Sequence, residues 1–595
     1  MEEDFTELSV IEKLTQENRE ATKHDFELQE LSSDTANALS ILDPEVVESS
    51  KSAPLAEYLL EHLDTRYRMF KKMTNSEIMR WAPRLISSPL LKISSSLSDL
   101  AVQLFKNLVS YMGDRKSSKK PALHAIKHIK LAINAPEELK DEAFVQVIRQ
   151  ITEHKDPSKA NRGWNFLAII ASSFPPSVEL YNSLINYLVD IIENNEDPLL
   201  VKRANYIAIR LMHTFESKRK LVPTEEEIKH IEEMKSIMFQ IYFFSGASTS
   251  IPIESYTTVR DLKNMTMRKL KLNLSKIPYY ALYELCDKPN CLEERFLDES
   301  EKVVDIMAVW NRETTEFEKK KQNISFKVYL KIQLYYPFNK EDVDTVTMHY
   351  VQTNFDVIQN KFHLTEEEIT ELAAIELFVN HGDKGVNEIT NILQKEVKEY
   401  IPRLKFKLLS EDVWVNKILE VFATLKFRTK QHAKNAYLDK LSTNPMFESQ
   451  QFSVTFSQKY NNESSNSQRV KNPDHITEQC IVGIKPKELL ITDVDRNELL
   501  RIPLNKIASW GVNAELFVIV VKKSEKDFTK YYFESHQPKL FQILMDSYTS
   551  IQAGKGMNEI ILASDDTCKM FDSLPLTKLK QGQTMRSRQA SVYMK

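Results

Sequence analysis

Between residues 54 and 214 apolar positions recur at steps of three and four, the spacing that lines one face of a helix. The segments LSDLAVQLFKNLVSYM (97–112), DEAFVQVIRQITEH (141–154), NFLAIIASSF (165–174) and VELYNSLINYLVDIIE (178–193) carry this period, and short polar or proline-bearing joints separate them. A compact helical domain is therefore predicted here. Within ANRGWNFLAIIASSFPPSVEL (160–180), Gly163 is expected at a tight left-handed corner, and Pro175 should end the helix because it lacks a backbone N–H. Trp164 should begin the buried face, since large aromatics at helical spacing usually fill a core.

The period then changes. MFQIYFFSGASTSIPI (238–253) alternates and turns at Ser245-Gly246 as a hairpin would, and TTVRDLKNMTMRKLKL (257–272) opens with a threonine cap and continues as a helix. With ALYEL and EKVVDIMAVW following, this order predicts a ubiquitin-like fold. ISFKVYLKIQLYYPF leads into a helical lobe reaching about residue 440, where Thr365 and Glu368 form a Thr-x-x-Glu capping box. Strands predominate from 452 to 536, and the amphipathic PKLFQILMDSYTSIQ (538–552) closes them as in a pleckstrin- or phosphotyrosine-binding-type sandwich.

Composition narrows the chemistry. Only ten glycines occur in 595 residues, and HGDKGV (381–386) has neither Walker nor GxGxxG spacing, so nucleotide-dependent catalysis is not expected. No GxSxG elbow is present. His124 and His128 lie four apart without an acidic or cysteine partner spaced to complete a metal site, and Cys286 and Cys291 in CDKPNC have no second pair. With Cys480 and Cys568 the cysteines are too few for a disulfide framework, no N-terminal apolar core resembles a signal peptide, and a cytosolic location is expected. A net charge of −4 gives no global reason to expect nucleic acid, and no apolar run reaches bilayer length. The expectation is a non-enzyme without cofactor or metal. Charge is instead concentrated at the ends: residues 1–50 hold fourteen acids against three bases, and residues 569–595 hold six bases against one acid.

ELKDEAFVQVIRQIT, NRGWNFLAIIASSFPPS and LLVKRANYIAIRLMHT, in this order, resemble the myosin tail homology 4 (MyTH4) domain. The ubiquitin-like, helical and pleckstrin-like lobes, in that order, resemble a FERM domain, with LVPTEEEIKHIEEMKS as the joint between the two. LTEEEITELAAIELFVNHGDK and the stretch from IVGIKPKELLITD to ELFVIVVKK also look talin-like. The resemblance implies a multidomain α plus α/β chain: an acidic, weakly structured leader (1–50), a MyTH4-like helical domain (51–215), a joint (216–236), a ubiquitin-like lobe (237–317), an acyl-CoA-binding-protein-like helical lobe (318–440), a PH/PTB-like sandwich (441–553) and a basic flexible tail (554–595). It further implies a non-catalytic cytoskeletal adaptor or myosin-tail-like cargo module at the cytoplasmic cell cortex, peripheral to the membrane. Its expected partners are tubulin tails or actin-associated proteins, cytoplasmic tails of membrane proteins, and acidic phosphoinositides. A membrane-associated FERM signalling regulator that binds no filament is the alternative.

Three surfaces and one modification site are candidates. Arg115, Lys116, Lys119, Lys120, Lys127 and Lys130, against Asp114 alone, give GDRKSSKKPALHAIKHIK a net charge of +5, suited to acidic tubulin tails or peptides; a solvated loop is the alternative. Arg260, Lys263, Arg268, Lys269 and Lys271 are candidates for acidic lipid headgroups, against the alternative of ordinary exposed helix charge. A peptide groove is expected between the strand Leu516–Lys522 and the closing helix, involving Trp510, Leu516, Phe517, Ile519, Val521, Phe541, Leu544 and Met545, with Lys522 and Lys523 favouring an acidic ligand residue. Ser591 in RSRQAS has Arg588 three residues before it, a spacing basophilic kinases accept, and its phosphate would loosen a contact between the tail and the acidic leader.

Overall fold

The computed structural model describes residues 9–21, 43–64, 74–216, 219–289, 291–382, 384–457, 474–524, 527–552 and 591–594. The helical domain comprises α2 (Pro44–Ser50), α3 (Leu55–His62), α4 (Asn75–Ile78), α5 (Ser98–Met112), α6 (Pro121–Ala132), α7 (Glu137–Ile151), α8 (Pro157–Ala171), α9 (Val178–Asn194), α10 (Pro198–Glu216) and α11 (Glu225–Glu233), preceded in the chain by α1 (Val10–Ala21). Asp156 caps α8 by accepting from the Ser158 N–H at 3.0 Å, with Pro157 at the first helical position where no N–H is needed. The apolar face of α8 (Phe166, Leu167, Ile169, Ile170) is completely or almost completely buried, and the helix stops before Pro175 as expected.

Gly163 departs from the expected corner. It lies inside α8 with helical backbone and is buried, because an added Cβ would fall well inside contact distance of Ile151 Cγ2 and 2.9 Å from Met112 Cε. The missing side chain lets α8 approach α5 and α7 closely. Trp164 is in the core, its ring parallel to that of Tyr187 at 6.3 Å. Two further boundaries move. Part of the leader is helical, with α2 packed on α9 and α1 on the later lobes; the helix of the joint, α11, packs on α8 and α6.

The ubiquitin-like lobe contains β1 (Ile237–Tyr242), β2 (Ser248–Ile253), α12 (Val259–Lys269), β3 (Tyr280–Asp287), β4 (Cys291–Phe296), α13 (Val303–Lys319) and β5 (Ser325–Ile332). Gly246, at φ 86°, makes the β1–β2 turn. β5 pairs in parallel with β1 and antiparallel with β3, so this lobe extends past the boundary at 317 and takes the strand assigned above to the helical lobe. The helical lobe then holds α14 (Val343–Ile358), α15 (Glu366–His381), α16 (Val386–Tyr400), α17 (Glu411–Phe422) and α18 (Lys430–Leu441). Its predicted capping box is formed: the Thr365 N–H donates to Glu368 at 2.8 Å, and the Glu368 N–H donates to Thr365 Oγ1 at 3.2 Å.

A seven-stranded sheet follows, built from β6 (Gln450–Phe456), β7 (Gln479–Ile484), β8 (Glu488–Thr492), β9 (Glu498–Pro503), β10 (Ile507–Val512), β11 (Leu516–Lys522) and β12 (Phe528–Glu534), in the order β10-β11-β12-β6-β7-β8-β9. α19 (Pro538–Gln552) closes it, and the final strand β13 (Ser591–Met594) pairs antiparallel with β4 in the other sheet.

Buried charges tie these units together. Arg219 donates to Glu227 of α11 at 2.8 Å and to Asp305 of α13 at 3.0 Å, joining the helical domain to the ubiquitin-like lobe. Where the three later lobes meet, Lys361 lies 2.7 Å from Asp356 and 3.5 Å from Glu294, which also pairs with Lys331. These groups are buried, so each charge depends on its partners.

Candidate functional site

The basic segment begins where α5 ends, at Gly113 in the left-handed conformation with φ 89°. All six of its bases are exposed. Its one acid is not. The Asp114 side chain turns inward, accepting from Gln150 at 2.8 Å and Trp81 at 3.3 Å, with Lys159 at 3.3 Å. Burial acts to raise the Asp114 carboxyl, but the hydrogen bonds from Gln150, His154 and Trp81 outweigh it and hold the group below its usual range. Lys119 stands close enough to Lys127 to push its ammonium down, and His124 is lowered by burial and then by Lys127, Lys119 and Arg115. Arg115, Lys119 and Lys127 thus converge around His124 near the start of α6. Among the described residues, Lys120 leans toward an acid, Glu225 at 3.6 Å.

The second patch is less continuous than its sequence. Lys263 is buried, donates to the Tyr280 carbonyl at 3.2 Å and pairs with Glu299. Arg260 pairs with the same carboxylate at 2.9 Å, and Lys269 donates to the Ser250 carbonyl at 2.6 Å. Arg268, Lys269 and Lys271 remain at the surface, while Lys263 is a structural residue.

The third surface requires correction. β11 is paired on both sides, with β10 and β12, so its backbone offers no edge for strand addition. Phe517, Ile519, Phe541, Leu544 and Met545 are fully buried and Val521 nearly so; the Phe517 and Phe541 rings stack at 3.8 Å. These residues form the core between sheet and helix. The edges of the sheet are β10 and β9, and α19 packs against β10. Half-buried Trp510 on β10 donates its indole N–H to Asp546 Oδ1 of α19 at 2.9 Å, whereas Asp546 Oδ2 is buried without a hydrogen-bond partner. Burial pushes this carboxyl up, with Trp510 opposing. Sequence reasoning found Trp510 and Leu516, both half-buried, but missed Asp546, whose position about two turns along an apolar helix gave no local signal. Lys522 is exposed, and Lys523 lies 3.5 Å from Asp474.

Ser591 begins β13, in register with Glu294 of β4. The described end of the tail therefore meets the ubiquitin-like lobe rather than the acidic leader; residues 553–590 and Cys568 lie outside the described residues. His124 bonds Ser117 at 2.7 Å and His128 bonds the Leu104 carbonyl at 3.1 Å, so both rings have packing roles. Among the described residues, Glu61, His62 and Glu179 bring donor atoms within 4.8 Å of one another at the surface, where His62 and Glu179 already interact at 2.8 Å. No described helix is long and apolar enough to cross a membrane.

Comparison with known families matches a MyTH4 domain at residues 126–230, an RA like domain at 235–334 and a FERM central domain at 338–452. Unconventional myosin heavy chain 6 of Caenorhabditis elegans is 24% identical over 463 residues, covering 76% of this chain and 21% of that protein. The chain thus spans about a fifth of that relative's length. Among solved structures, the first MyTH4-FERM unit of Dictyostelium discoideum myosin VII superposes with a TM-score of 0.69 at 17% identity, over 86% of this chain and 99% of that one. The C-terminal MyTH4-FERM unit of human myosin 7b, solved in complex with the harmonin-a PDZ3 domain, gives 0.59 at 20% identity, over 84% and 97%. The helical domain thus contains a MyTH4 region and is followed by a FERM-like domain of three lobes, with homology to unconventional myosin tails. None of the matched families is catalytic.

Proposed function

We propose that this MyTH4-FERM chain is a protein-binding adaptor that couples cytoskeletal filaments or their motors to cytoplasmic tails of membrane proteins at the cell cortex. The observation that supports this most is the basic face leading into and along α6, whose six bases are all exposed and whose single acid is turned inward. Such a face suits an acidic, extended ligand such as a tubulin tail, because association gains from many screened contacts at once. A MyTH4-FERM unit of the same fold is seen holding a PDZ domain, which supports a protein ligand here as well. Cargo has a second place to dock at the β10 edge, where a strand-forming peptide would pair with free backbone and present a donor to Asp546 Oδ2. Arg268, Lys269 and Lys271 would add a weak attraction to acidic phosphoinositides, each near-surface base contributing about 1 kcal/mol.

Co-sedimentation of the full chain with microtubules and with actin tests this reading. Replacing Lys116, Lys119 and Lys120 by Glu is expected to abolish pelleting with the relevant filament and to flatten its salt dependence, because salt screens exposed charge most effectively. Unchanged co-sedimentation of the triple variant removes the site. Binding to acidic liposomes with no pelleting on either filament would favour the signalling regulator instead.

A further inference from the structure

The acidic leader contains a helix that does not pack on its sequence neighbours. α1 lies against β2 of the ubiquitin-like lobe and α14 of the helical lobe, a cleft far along the chain from residue 10. Its first turn is held by four separate contacts. Ser9 and Glu12 cap one another, with the Ser9 N–H donating to Glu12 at 3.0 Å and the Glu12 N–H donating to Ser9 Oγ at 3.2 Å. The Val10 N–H, one of the donors a helix start leaves over, reaches Asp344 Oδ1 of α14 at 2.6 Å. Lys434 of α18, almost wholly buried, donates to Glu12 Oε1 at 2.7 Å and to Thr347 at 2.8 Å. Ile11 is 1% exposed and belongs to the same apolar cluster as Phe243, Ile251 and Met348, with Val10 and Leu14 half-buried beside it.

This arrangement is that of a receptor and a ligand. The cleft supplies an apolar seat for one β-branched side chain, a buried ammonium for the carboxylate next to it, and a carboxylate at the rim for the amides of a helix start. Among the described side chains of α1, residues 10–16, one is fully enclosed, and a helix of about 12 residues is marginal by itself in water, so the helix depends on the cleft more than the lobes depend on the helix. We propose that the cleft between the ubiquitin-like and helical lobes is a docking site for the first turn of an acidic amphipathic helix, filled in cis by residues 9–16 and open to a partner helix with an Ile-Glu pair when α1 leaves. Because α1 is carried by the same chain, its docking is unimolecular and a partner must exceed its effective concentration. The leader is thus a competitor that sets the threshold for that partner.

The test uses the full chain and a fluorescent peptide of residues 7–21 in an anisotropy titration. Ile11→Asp, which empties the seat in cis, is expected to let the peptide bind at least about tenfold more tightly than to the unaltered chain. Adding Lys434→Glu should lower that affinity at least about tenfold, the loss typical of a buried charge-assisted contact, and a peptide carrying Glu12→Lys should restore it. Should Ile11→Asp alter the melting profile, Glu12→Ala serves as the second opened variant. Equal binding to opened and unaltered chains, no binding to either opened variant, or failure of the charge swap to restore binding would each overturn the proposal.

Discussion

Gly163→Ala sets helix propensity against packing, and the structure decides the sign. In an exposed helix the change would gain about 1 kcal/mol, because alanine loses less backbone entropy than glycine. Here the new methyl meets two side chains. Met112 Cε ends a flexible chain and can swing aside at small cost, but Ile151 Cγ2 is bonded directly to a β-branched carbon and moves only with α7 itself. Overpacking of this kind costs about 1–3 kcal/mol, so the net expectation is a loss of up to about 2 kcal/mol. For a domain of this size that lowers the melting temperature by up to about 8 °C, measurable by differential scanning calorimetry of the full chain. Ile151→Ala, which removes Cγ2, should make a subsequent Gly163→Ala neutral or stabilising, a coupling of about 1–3 kcal/mol in the double-mutant cycle. A rise in melting temperature for Gly163→Ala alone would refute the close-approach account.

Three further outcomes follow from the FERM lobes. Leu544→Glu places a charge in the fully buried core between sheet and α19, so it should lower the melting temperature together with cargo binding; Asp546→Asn should keep the fold, preserve acceptance from Trp510 and alter ligand affinity alone. Retention of the melting temperature by Leu544→Glu would contradict the burial. Burial raises Glu376 to about 8, with the Asn354 amide donating to it at 2.6 Å and acting in the opposite direction. A carboxyl raised in the folded state contributes stability that is complete below its unfolded value of 4.5 and is lost as pH rises through about 8. Glu376→Gln is therefore expected to flatten the fall in stability between those two values, by up to a few kcal/mol at pH 7, as read from urea denaturation at stepped pH; an unchanged slope would remove Glu376 as its source.

Much of the fold was legible because it is local. The three- and four-residue period marks α5, α7, α8 and α9, the alternation around Ser245-Gly246 marks the first hairpin, and the Thr365–Glu368 pair marks the start of α15. The candidate sites were less legible, since each depends on neighbours distant in sequence. An acid among six bases reduces their net charge on paper, yet Asp114 faces Gln150 and His154 and leaves the surface positive. Lys263 has the same composition as its exposed neighbours, and only Glu299 and the Tyr280 carbonyl distinguish it. The capping pair Ser9 and Glu12 is present in the sequence at the start of α1, but the surrounding acidic composition suggested a weakly structured segment.

By itself the sequence determined the order of domains, the class of nearly every element and the absence of recognisable catalytic motifs, because propensity, capping and side-chain period act within a few residues. Tertiary structure alone decided which strand is an edge. The apolar alternation of Leu516–Lys522 is the same whether the strand lies in the middle of a sheet or at its margin, and only the pairing of β11 with both β10 and β12 settles that it is interior, with β10 at the margin beside it. It also decided the role of Gly163, since a glycine that opens a turn and one that admits a neighbouring helix carry the same letter, and the difference lies in Ile151 and Met112 on two other helices. Partners separated by tens or hundreds of residues, such as Val10 with Asp344, meet only when the chain has folded, so no reading of local pattern contains them.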